Sequence, residues 1–375
     1  MCVLAATPLS IHFFLKPHLR ELARYFEVTL VCNFQCDTFS LPLDLPVREV
    51  DLAMERKMAP WRDLLALFSL CKLFGRENFD IVVSVAPKAG LLSMLAAFLF
   101  RVPCRVHIFQ GEVWASKRGI LRFLLKFMDG LTARLATHVL AVSTSEKEYL
   151  EQECVAPSGK LRVLGAGSIC GVDTFRFRPD ALARSQVRAE LGIPDRDIVC
   201  IFLGRLATDK GVLDLAKAFA LSAATRSDLW LLFAGPDEDQ LELRLRQLVP
   251  EKLKDKLLIL GFTRNPERLL SASDFLCLPS YREGFGMVIL EAAAVGIPAI
   301  GARIYGITDA IDDGFSGRLV NVGDIDELSK AISRWCEYPE ERKQFGNAAR
   351  ERMISKFEYR DVVDGYVRYF RGFFG

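Results

Sequence analysis

The chain has 375 residues, which is long enough for two domains that each bury a substantial core. It is 51% hydrophobic and 26% charged, as in an ordinary soluble globular protein, and 49 basic against 47 acidic residues leave a formal net charge of +2. This balance gives no indication of a nucleic-acid partner, so any electrostatic role must be local.

The ten cysteines include no C-x-x-C pair, and the four histidines lack the spacing of a zinc finger. These features argue against a structural metal and favour reduced thiols. The chain opens into "CVLAA" without a basic segment and cleavage site, so we expect no secretory signal. The most apolar stretch, 89–100, is too short to span a bilayer and is typical of a buried helix. We therefore expect a cytoplasmic protein, one face of which can still contact a membrane.

In the first half of the chain, apolar or β-branched runs alternate with segments of helical periodicity, which predicts a parallel sheet covered by helices. The predicted strands are 2–6, 28–32, 80–85, 105–109, 138–142 and 161–164. The predicted helices are 11–26, 60–74, 120–136 and 145–153. A polar and basic stretch that ends in proline, 171–180, is predicted to be a linker.

The same alternation restarts after this stretch. The predicted strands are 198–203, 229–234, 257–260, 274–278 and 298–301. The clearest helix is 212–222, in which Val212, Leu215, Ala216 and Phe219 recur at helical spacing. Because no short repeat accompanies this rhythm, we predict an α/β protein with two similar doubly wound domains that face each other across a cleft. In such sheets, ligands bind outside the carboxyl ends of the strands.

The first motif of the second half is "FLGRLATDKG" (202–211), at the end of a predicted strand. The chain turns through Gly204 and then supplies Arg205 and Lys210 before a helix. A guanidinium and an ammonium group together suit a diphosphate. Two surface cations on a solvated loop are an equal alternative.

Two further loops follow predicted strands at the same edge. In "FAGPDED" (233–239), Asp237 and Asp239 would hold a divalent metal if they acted as a D-x-D pair, but the start of an ordinary helix is the favoured interpretation. In "GFTRNPERLLSASD" (261–274), Arg264 and Asn265 would border a base. Capping of the following helix is an equal alternative there.

The segment "SYREGFGMVILEAA" (280–293) places Glu283 and Glu291 on either side of a Gly-Phe-Gly loop. In one continuous helix these residues would lie more than two turns apart. If the helix begins near Phe285 or Gly286, Glu283 stays at the loop mouth and Glu291 lies in the second turn, tilted back toward the helix N-terminus. That N-terminus attracts phosphate, whereas the carboxylates suit hydroxyls, which predicts a ligand with phosphates between two sugars.

These loops together resemble those of the family-4 retaining glycosyltransferases of the two-domain GT-B fold. Arg205, Lys210, Glu283 and Glu291 occupy the places of that family's basic pair and its E-x₇-E motif. "EGFGMVILEAAAVGIPAI" followed by "DGFSGRLV" matches the family pattern in order and spacing. The resemblance in organisation covers essentially the whole chain.

The resemblance implies an organisation and a function. Two Rossmann-like domains would bind the acceptor (1–175) and the nucleotide-sugar donor (176–355), and a C-terminal helix (356–375) would return to the first domain. The implied reaction moves a hexose or N-acetylhexosamine, with retention, from a nucleotide-diphosphate sugar, with UDP-sugar favoured, to a glycan or a polyprenyl-diphosphate-linked sugar. Its setting is cell-envelope polysaccharide synthesis, which includes lipopolysaccharide. No metal or other cofactor is expected.

The resemblance also implies roles for individual residues. Arg205 and Lys210 would contact the diphosphate, Glu291 the ribose hydroxyls, and Glu283 the transferred sugar. The backbone amides around the phosphate and sugar would be those of Gly284, Phe285 and Gly286. The remaining implied donor-binding residues are Gly204, Gly235, Arg264, Met287 and Val288.

The stretch "VHIFQGEVWASKRG" (106–119) departs from the family pattern. Members often carry a histidine directly before the glycine, where this chain has Gln110. His107 is a catalytic candidate that lies within a predicted strand, where a structural histidine is the favoured interpretation. Glu112 is the nearest titratable candidate for orienting or deprotonating an acceptor. In such enzymes the departing phosphate is thought to take the acceptor proton, so catalysis would rest on positioning and on stabilising the leaving group.

Two segments of the first half are candidates for the acceptor side, and a third is a candidate for contact with a membrane. Segments 7–22 and 86–93 follow predicted strands, and similar stretches occur in family members that build bacterial surface polysaccharides. Segment 116–135 interleaves basic and apolar residues. Such a helix can lie on an anionic membrane surface, but a helix that merely covers a sheet is an equal alternative.

Other functions stay open at this point. The glycines of "GAGSICG" (165–171) have the wrong spacing, and lack the following helix, for a dinucleotide oxidoreductase. A phosphorylase-like enzyme would need a pyridoxal lysine, and nothing marks Lys210 as one. A catalytically silent nucleotide-sugar-binding subunit and a nucleotide-sugar epimerase on the same fold are the remaining alternatives.

Overall fold

The chain forms two compact units. The structure is a computed structural model that describes residues 1–35, 44–54, 59–157 and 159–374. One unit comprises Met1–Cys170 and Arg360–Gly375, and the other comprises Gly171–Tyr359. Each unit contains a parallel sheet with helices on it, which confirms the predicted α/β class with two doubly wound domains. No helix in the described ranges is long and apolar enough to cross a membrane.

The first unit has a seven-stranded sheet. Its strands are β1 (Cys2–Leu4), β2 (Thr29–Cys32), β3 (Arg48–Asp51), β4 (Ile81–Val85), β5 (Cys104–Phe109), β6 (His138–Ala141) and β7 (Leu161–Arg162). They pair in parallel in the order β3-β2-β1-β4-β5-β6-β7. The edge strand β3 was not predicted, because its residues are charged and mostly exposed and so lack the apolar signal of a buried strand.

The helices between β1 and β7 lie in the connections of this sheet. They are α1 (Pro8–Ser10), α2 (Lys16–Leu22), α3 (Pro60–Arg76), α4 (Pro87–Leu99), α5 (Gly119–Leu135) and α6 (Thr144–Gln152). The single helix predicted over 11–26 is wrong in detail, because a π-helical turn at Ile11–Leu15 separates α1 from α2. Pro17 lies at the start of α2 and has no N–H to donate, so a continuous α-helical ladder cannot pass through it.

The second unit has a six-stranded sheet. Its strands are β8 (Ile198–Leu203), β9 (Leu229–Ala234), β10 (Leu257–Ile259), β11 (Phe275–Leu278), β12 (Ala299–Ala302) and β13 (Gly317–Val320), in the parallel order β10-β9-β8-β11-β12-β13. Its helices are α7 (Ala181–Glu190), α8 (Val212–Ser222), α9 (Glu242–Leu248), α10 (Pro266–Ala272), α11 (Met287–Ala294), α12 (Ile307–Ala310), α13 (Ile325–Glu337) and α14 (Pro339–Phe357). Because β8 and β11 are neighbours, the loops that follow them lie side by side.

The predicted linker 171–180 is part of the second unit. Val172 donates its N–H to the carbonyl of Phe357 at 2.9 Å and accepts from the N–H of Tyr359 at 3.1 Å. A Cβ atom at Gly171, which has φ 64°, would lie 2.6 Å from the Phe357 oxygen. The boundary between the two units falls at the start of this segment. The sequence did not indicate its pairing, because a polar composition does not reveal that a backbone is paired with a distant part of the chain.

The last helix, α15 (Tyr359–Arg371), belongs to the first unit from Arg360 onward. Its buried residues recur at helical spacing and are Val363, Tyr366, Val367 and Phe370. The ring of Tyr366 packs edge-on against His18 with centroids 4.8 Å apart, and its hydroxyl donates to the carbonyl of Ser168 at 3.4 Å. The amphipathic pattern of α15 therefore covers the core of the first unit.

Candidate active site

The loops after β8 and β11 pack closely against each other. Gly211 has φ 69°, and a Cβ atom there would lie 2.1 Å from the carbonyl oxygen of Pro279. The N–H of Tyr281 donates to the carbonyl of Asp209 at 2.9 Å. This approach needs glycine, both for the left-handed backbone and for the absence of a side chain. The packing brings Lys210 into the loop that carries Glu283.

Lys210 and Glu283 form an ion pair between these loops. The Lys210 Nζ lies 2.7 Å from Glu283 Oε1 and 3.4 Å from the carbonyl of Arg282, and the hydroxyl of Ser280 donates to the same Oε1 at 2.9 Å. The side chains of Lys210 and Glu283 are only 13% and 16% exposed. Glu283 thus neutralises one of the two cations predicted to hold a diphosphate.

Other charges surround this pair. Arg205 forms an ion pair with Glu238, and Arg282 lies 2.9 Å from Asp209. Burial acts to raise the pKa of Asp209, but Lys210, Arg282 and Arg205 outweigh it and hold that pKa below its usual value. These three cations therefore favour the ionised form of the Asp209 carboxyl group.

The glycine loop leads directly into α11. Gly286 has φ 77° and precedes the first helical residue, one position later than the sequence predicts. The side chain of Phe285 is buried and lies 5.3 Å from the Phe357 ring, so only its backbone can face a ligand. A Cβ atom at Gly306 would lie 2.4 Å from the carbonyl of Gly284, which fixes the loop from the other side. Met287 and Val288 are half-buried in the first turn of α11.

Glu291 is half-buried in the second turn of α11. Burial raises the pKa of its carboxyl group to about 7, with Arg176 opposing the rise and Glu267 adding to it. Among the residues that the structure describes, none forms a hydrogen bond or an ion pair with this carboxylate. A carboxylate withdrawn from water without a donor is unfavourable for the protein alone, so it is suited to a ligand that brings hydroxyl groups.

The ends of β8, β9 and β10 meet at the same edge. The N–H of Gly235 donates to the carbonyl of Gly261 at 2.7 Å, and a Cβ atom at Gly235 would lie only 1.8 Å from the carbonyl oxygen of Gly204. Arg264 is exposed, and its carbonyl accepts from the Arg176 guanidinium at 2.9 Å. The glycines thus keep the backbone close-packed at this rim, whereas the Arg264 side chain stands at its exposed border.

Asp237 and Asp239 are engaged with backbone donors. Asp237 accepts from the N–H groups of Leu241 and Glu242 at 2.8 and 2.9 Å, at the start of α9. Asp239 accepts from the N–H and the hydroxyl of Thr208 at 2.8 and 2.9 Å. In the described part of the chain, no group of three or more His, Cys, Asp or Glu side chains is arranged to hold a metal ion. These contacts favour the helix-start interpretation over a D-x-D metal site.

The structure places His107 inside the core of the first unit. It lies in β5 with 1% exposure, its Nδ1 is 2.8 Å from the hydroxyl of Ser84, and its ring packs 4.6 Å from that of Phe109. Burial lowers its pKa to about 3. A Cβ atom at Gly90 would lie 2.4 Å from the His107 ring, which shows how closely the ring is enclosed. The prediction of His107 as a catalytic candidate is therefore corrected to a structural histidine, because its ring is enclosed in the core of the first unit.

Glu112 is also fully buried, beside a second carboxyl group that was not predicted. Glu146 accepts from the N–H of Gly111 at 2.5 Å and from that of Val142 at 2.8 Å, and its own N–H donates to the Ser143 hydroxyl at 3.0 Å. Burial, and next the charge of Glu112, raise the pKa of Glu146. Glu146 thus anchors the turn after β5, and the complete burial of Glu112 leaves it without the accessibility of a general base. The S-x-x-E pattern at 143–146 was the signal for Glu146.

Two family models match the two units. The second unit matches the glycosyl transferases group 1 over residues 183–352, and the first matches a glycosyl transferase 4-like domain over residues 18–167. The UDP-Gal:alpha-D-GlcNAc-diphosphoundecaprenol alpha-1,3-galactosyltransferase of Escherichia coli is 30% identical over 314 residues, which cover 82% of this chain and 80% of that protein. The chain belongs to the group 1 glycosyltransferases.

This glycosyltransferase is also 27% identical over 306 residues to the capsular polysaccharide biosynthesis glycosyltransferase CapM of Staphylococcus aureus, with coverage of 82% of this chain and 80% of that one. The Anabaena protein HepE, solved with UDP and glucose, is similar in fold with a TM-score of 0.81 at 18% identity, over 99% of this chain and 98% of that chain. The expected GT-B fold, the family and the transferase class are therefore confirmed.

Proposed function

We propose that this glycosyltransferase moves a hexose or N-acetylhexosamine from a nucleotide-diphosphate sugar, with UDP-sugar favoured, to a glycan or a polyprenyl-diphosphate-linked sugar in cell-envelope polysaccharide synthesis. The observation that carries the proposal is the unpartnered, half-buried carboxylate of Glu291 in the same loop and helix segment as the Lys210–Glu283 pair. The Escherichia coli relative, whose name gives a UDP-sugar and a diphosphoundecaprenol acceptor, supports the substrate classes. The proposal includes peripheral contact of segment 116–135 with a membrane.

The donor diphosphate binds through Arg205, Lys210 and the first amides of α11. Free N–H groups and the helix dipole favour an anion there, and a charge-assisted hydrogen bond to a phosphate contributes about 1.5–3 kcal/mol. In the ligand-free protein Lys210 is held by Glu283. The diphosphate replaces Glu283 as the partner of Lys210, so that Glu283 becomes available to the hydroxyls of the transferred sugar. Binding of the phosphates and of the sugar is thereby coupled.

Glu291 binds the ribose. A carboxylate has two oxygens and can accept hydrogen bonds from two vicinal hydroxyls at once. The position in the second turn of α11 directs the side chain back toward the helix N-terminus, where the diphosphate lies. One ligand therefore places a sugar hydroxyl pair at each glutamate and its phosphates between them.

Transfer proceeds on one face of the sugar with retention of its configuration. The bond between the anomeric carbon and the donor phosphate breaks, the acceptor oxygen bonds to that carbon, and the departing phosphate takes the acceptor proton. The enclosed positions of His107 and of the Glu112–Glu146 pair support a mechanism without a base from the first unit. Rate enhancement rests on positioning and on the cations that stabilise the leaving diphosphate.

Turnover of a radiolabelled donor tests the proposed function. A thermal-shift screen across UDP-, GDP- and ADP-sugars first selects the donor, since a ligand at a hundred times its Kd stabilises the folded state by about 2.7 kcal/mol. The selected donor is then incubated with and without a polyprenyl-diphosphate-linked sugar, and the anomeric configuration of the product is read by NMR. We expect acceptor-dependent transfer with retention. Release of free sugar without an acceptor would indicate an epimerase, and binding without turnover would indicate a silent subunit.

A further inference from the structure

Three helices of the first unit lie side by side on one side of its sheet. Helices α3, α4 and α5 precede the parallel strands β4, β5 and β6, and α4 packs against both of the others. Right-handed crossovers that advance in one direction across a sheet place their helices on the same face. All three helices therefore run in the same direction, and their N-termini lie at the carboxyl edge of the sheet.

The outer face of α3 is apolar. Trp61, Leu64, Leu65 and Phe68 recur at i, i+3, i+4 and i+7, which places them on one stripe of the helix. Trp61 is 82% exposed and Phe68 is 70% exposed. The residues that α3 buries lie on the opposite side and are Ala66, Leu70 and Phe74. The stripe is thus a second apolar face and not part of the core.

Helix α5 repeats this arrangement. Ile120, Phe123, Leu124 and Phe127 have the same i, i+3, i+4 and i+7 spacing, and the stripe again begins at the second residue of a helix of 17 residues. Ile120 is 88% exposed and Phe123 is 73% exposed. The buried residues of α5 lie on the opposite side and are Asp129, Thr132 and Ala133. Two parallel helices therefore present equivalent apolar stripes in their N-terminal halves.

Helix α4 completes the surface between them. Its residues Leu91 and Leu95 are half-buried and Phe98 is exposed, at i, i+4 and i+7, so its outward side is also apolar. We call the outward stripes of α3, α4 and α5 the three-helix face. An apolar surface across three adjacent helices is larger than the scattered exposed residues of an ordinary monomer, and such surfaces mark interaction sites.

The charge of the same segments is strongly positive. Residues 60–76, 87–99 and 117–135 contain nine basic and two acidic residues, whereas the whole chain is nearly balanced at 49 to 47. One of the two acids, Asp63, forms an ion pair with Lys88 at 2.7 Å. The other, Asp129, is buried and accepts from the indole N–H of Trp114 at 2.8 Å. Asp63 therefore offsets Lys88, and Glu153, which lies outside these segments, pairs with Arg122 and Lys126. The excess positive charge beside the stripes comes from the other basic residues of the segments.

We infer that the three-helix face docks on the surface of an anionic lipid bilayer. The apolar stripes enter the boundary between headgroups and acyl chains, and the basic side chains beside them contact the anionic headgroups. The excess of basic over acidic residues in these segments favours an anionic lipid surface over a protein partner or a second copy of this chain. The helices lie in the plane of the membrane and do not cross it, consistent with the lack of a spanning helix in the described residues.

The docking has a consequence for the acceptor, and this part rests on the proposed function. The stripes occupy the N-terminal halves of α3 and α5, next to the carboxyl edge of the sheet, where segment 86–93 also begins. A bilayer on this face therefore lies beside the edge that is expected to receive the acceptor. A polyprenyl-linked sugar can then reach that edge while its lipid remains in the membrane.

Vesicle sedimentation of the intact protein tests the inference. The vesicles contain phosphatidylcholine alone or with about 30% phosphatidylglycerol. The variants are the pairs Trp61→Ser with Phe68→Ser and Ile120→Ser with Phe123→Ser. The control pair is Leu182→Ser with Leu243→Ser, two second-unit leucines that are 67% and 70% exposed.

We expect wild type and control to bind the anionic vesicles alike, with binding that weakens as salt is added, and each α3 or α5 pair to lower the partition coefficient at least tenfold. Equal binding by all four proteins would overturn the inference. A dimer seen by light scattering without lipid and lost in the α3 or α5 pair would also overturn it, in favour of a second copy. Because all substituted residues are exposed, the melting temperatures should be unchanged, and Phe68→Ser or Phe123→Ser alone gives the same comparison if a pair lowers them.

An activity measurement separates this inference from the proposed function. With a water-soluble acceptor of short chain, the α3 and α5 pairs should turn over at the wild-type rate. With a vesicle-embedded polyprenyl-diphosphate sugar, their turnover should fall in parallel with their partition coefficients, whereas equal turnover would contradict the docking. If wild type uses neither acceptor but still binds anionic vesicles through these helices, the proposed function fails and the docking stands.

Discussion

Replacing Glu291 with glutamine should stabilise the ligand-free protein and weaken its binding of nucleotide. Burial raises the pKa of Glu291 to about 7 from an ordinary value of 4.5. The unfolded chain therefore ionises first as the pH rises, so stability present below pH 4.5 is lost progressively up to pH 7. At about 1.4 kcal/mol per pH unit, the full difference corresponds to about 3.4 kcal/mol.

The measurable gain should be smaller than this figure. Part of the Glu291 side chain remains accessible to water, so we expect Glu291→Gln to raise the free energy of unfolding at pH 8 by about 1–2 kcal/mol. For a unit of this size, that corresponds to roughly 2–8 °C in melting temperature. At pH 4.5 the two proteins should melt within about 1 °C of each other, because both side chains are then mainly uncharged in the folded state.

Calorimetric melting curves at pH 4.5 and pH 8 measure this difference. Glu351→Gln is the matched control, because Glu351 is an exposed glutamate on α14 of the same unit and should show no such pH-dependent gain. If Glu291→Gln melted below wild type at pH 8, the carboxylate would be a structural group and its assignment to the ribose would be wrong. An equal gain at both pH values would refute the argument from burial of charge.

The same carboxylate should make donor affinity depend on pH. Only the ionised form accepts from both hydroxyls, so wild-type affinity should fall below pH 7, approaching tenfold per pH unit. A UDP-sugar is the best ligand for this test, because its diphosphate does not change charge in this pH range. A terminal phosphate has a pKa of about 6 and would itself titrate there. Glu291→Gln should bind about 10- to 100-fold more weakly at pH 8, with little dependence on pH. A wild-type affinity independent of pH would contradict the assignment.

Three further outcomes are expected. Arg205→Ala or Lys210→Ala should each weaken UDP binding by about 1.5–3 kcal/mol in calorimetry, and unchanged affinity would remove that residue from the diphosphate site. Turnover should be unchanged in the presence of a chelator. If activity were lost in the chelator and restored by manganese or magnesium, Asp237 and Asp239 would again be candidate metal ligands. Burial raises the pKa of Asp129 to about 7, so Asp129→Asn should raise the melting temperature of the first unit at pH 8 more than at pH 4. Equal shifts at both pH values would show that its charge does not matter.

The strands that were predicted well are those whose two faces are buried. Strands β8 and β9 were predicted to the residue, because every position is apolar and the run is bounded by turn residues. Strand β3 was missed because its pairing is made by the backbone while its side chains face solvent. Helix α8 was predicted for a different reason, because its apolar residues recur at helical spacing.

The site was predicted in its residue types but not in its contacts. The roles predicted for Glu283 and Glu291 require only that a loop be followed by a helix. The glycines between the two residues indicate that loop. The pairing of Lys210 with Glu283 depends on Gly211 packing against a strand end nearly seventy residues later, and nothing local encodes it. Glu112 follows a strand in a polar loop, and only its burial beside a distant carboxyl group shows that it serves the fold.

The turnover and binding of Glu283→Gln test the central claim most directly. The variant should bind UDP as tightly as wild type or more tightly, because Lys210 loses the carboxylate that competes with the diphosphate. Its transfer of radiolabelled sugar should fall at least about 100-fold, since the lost contact is made mainly in the transition state. Wild-type turnover by this variant, or a loss of UDP affinity equal to its loss of rate, would contradict the account.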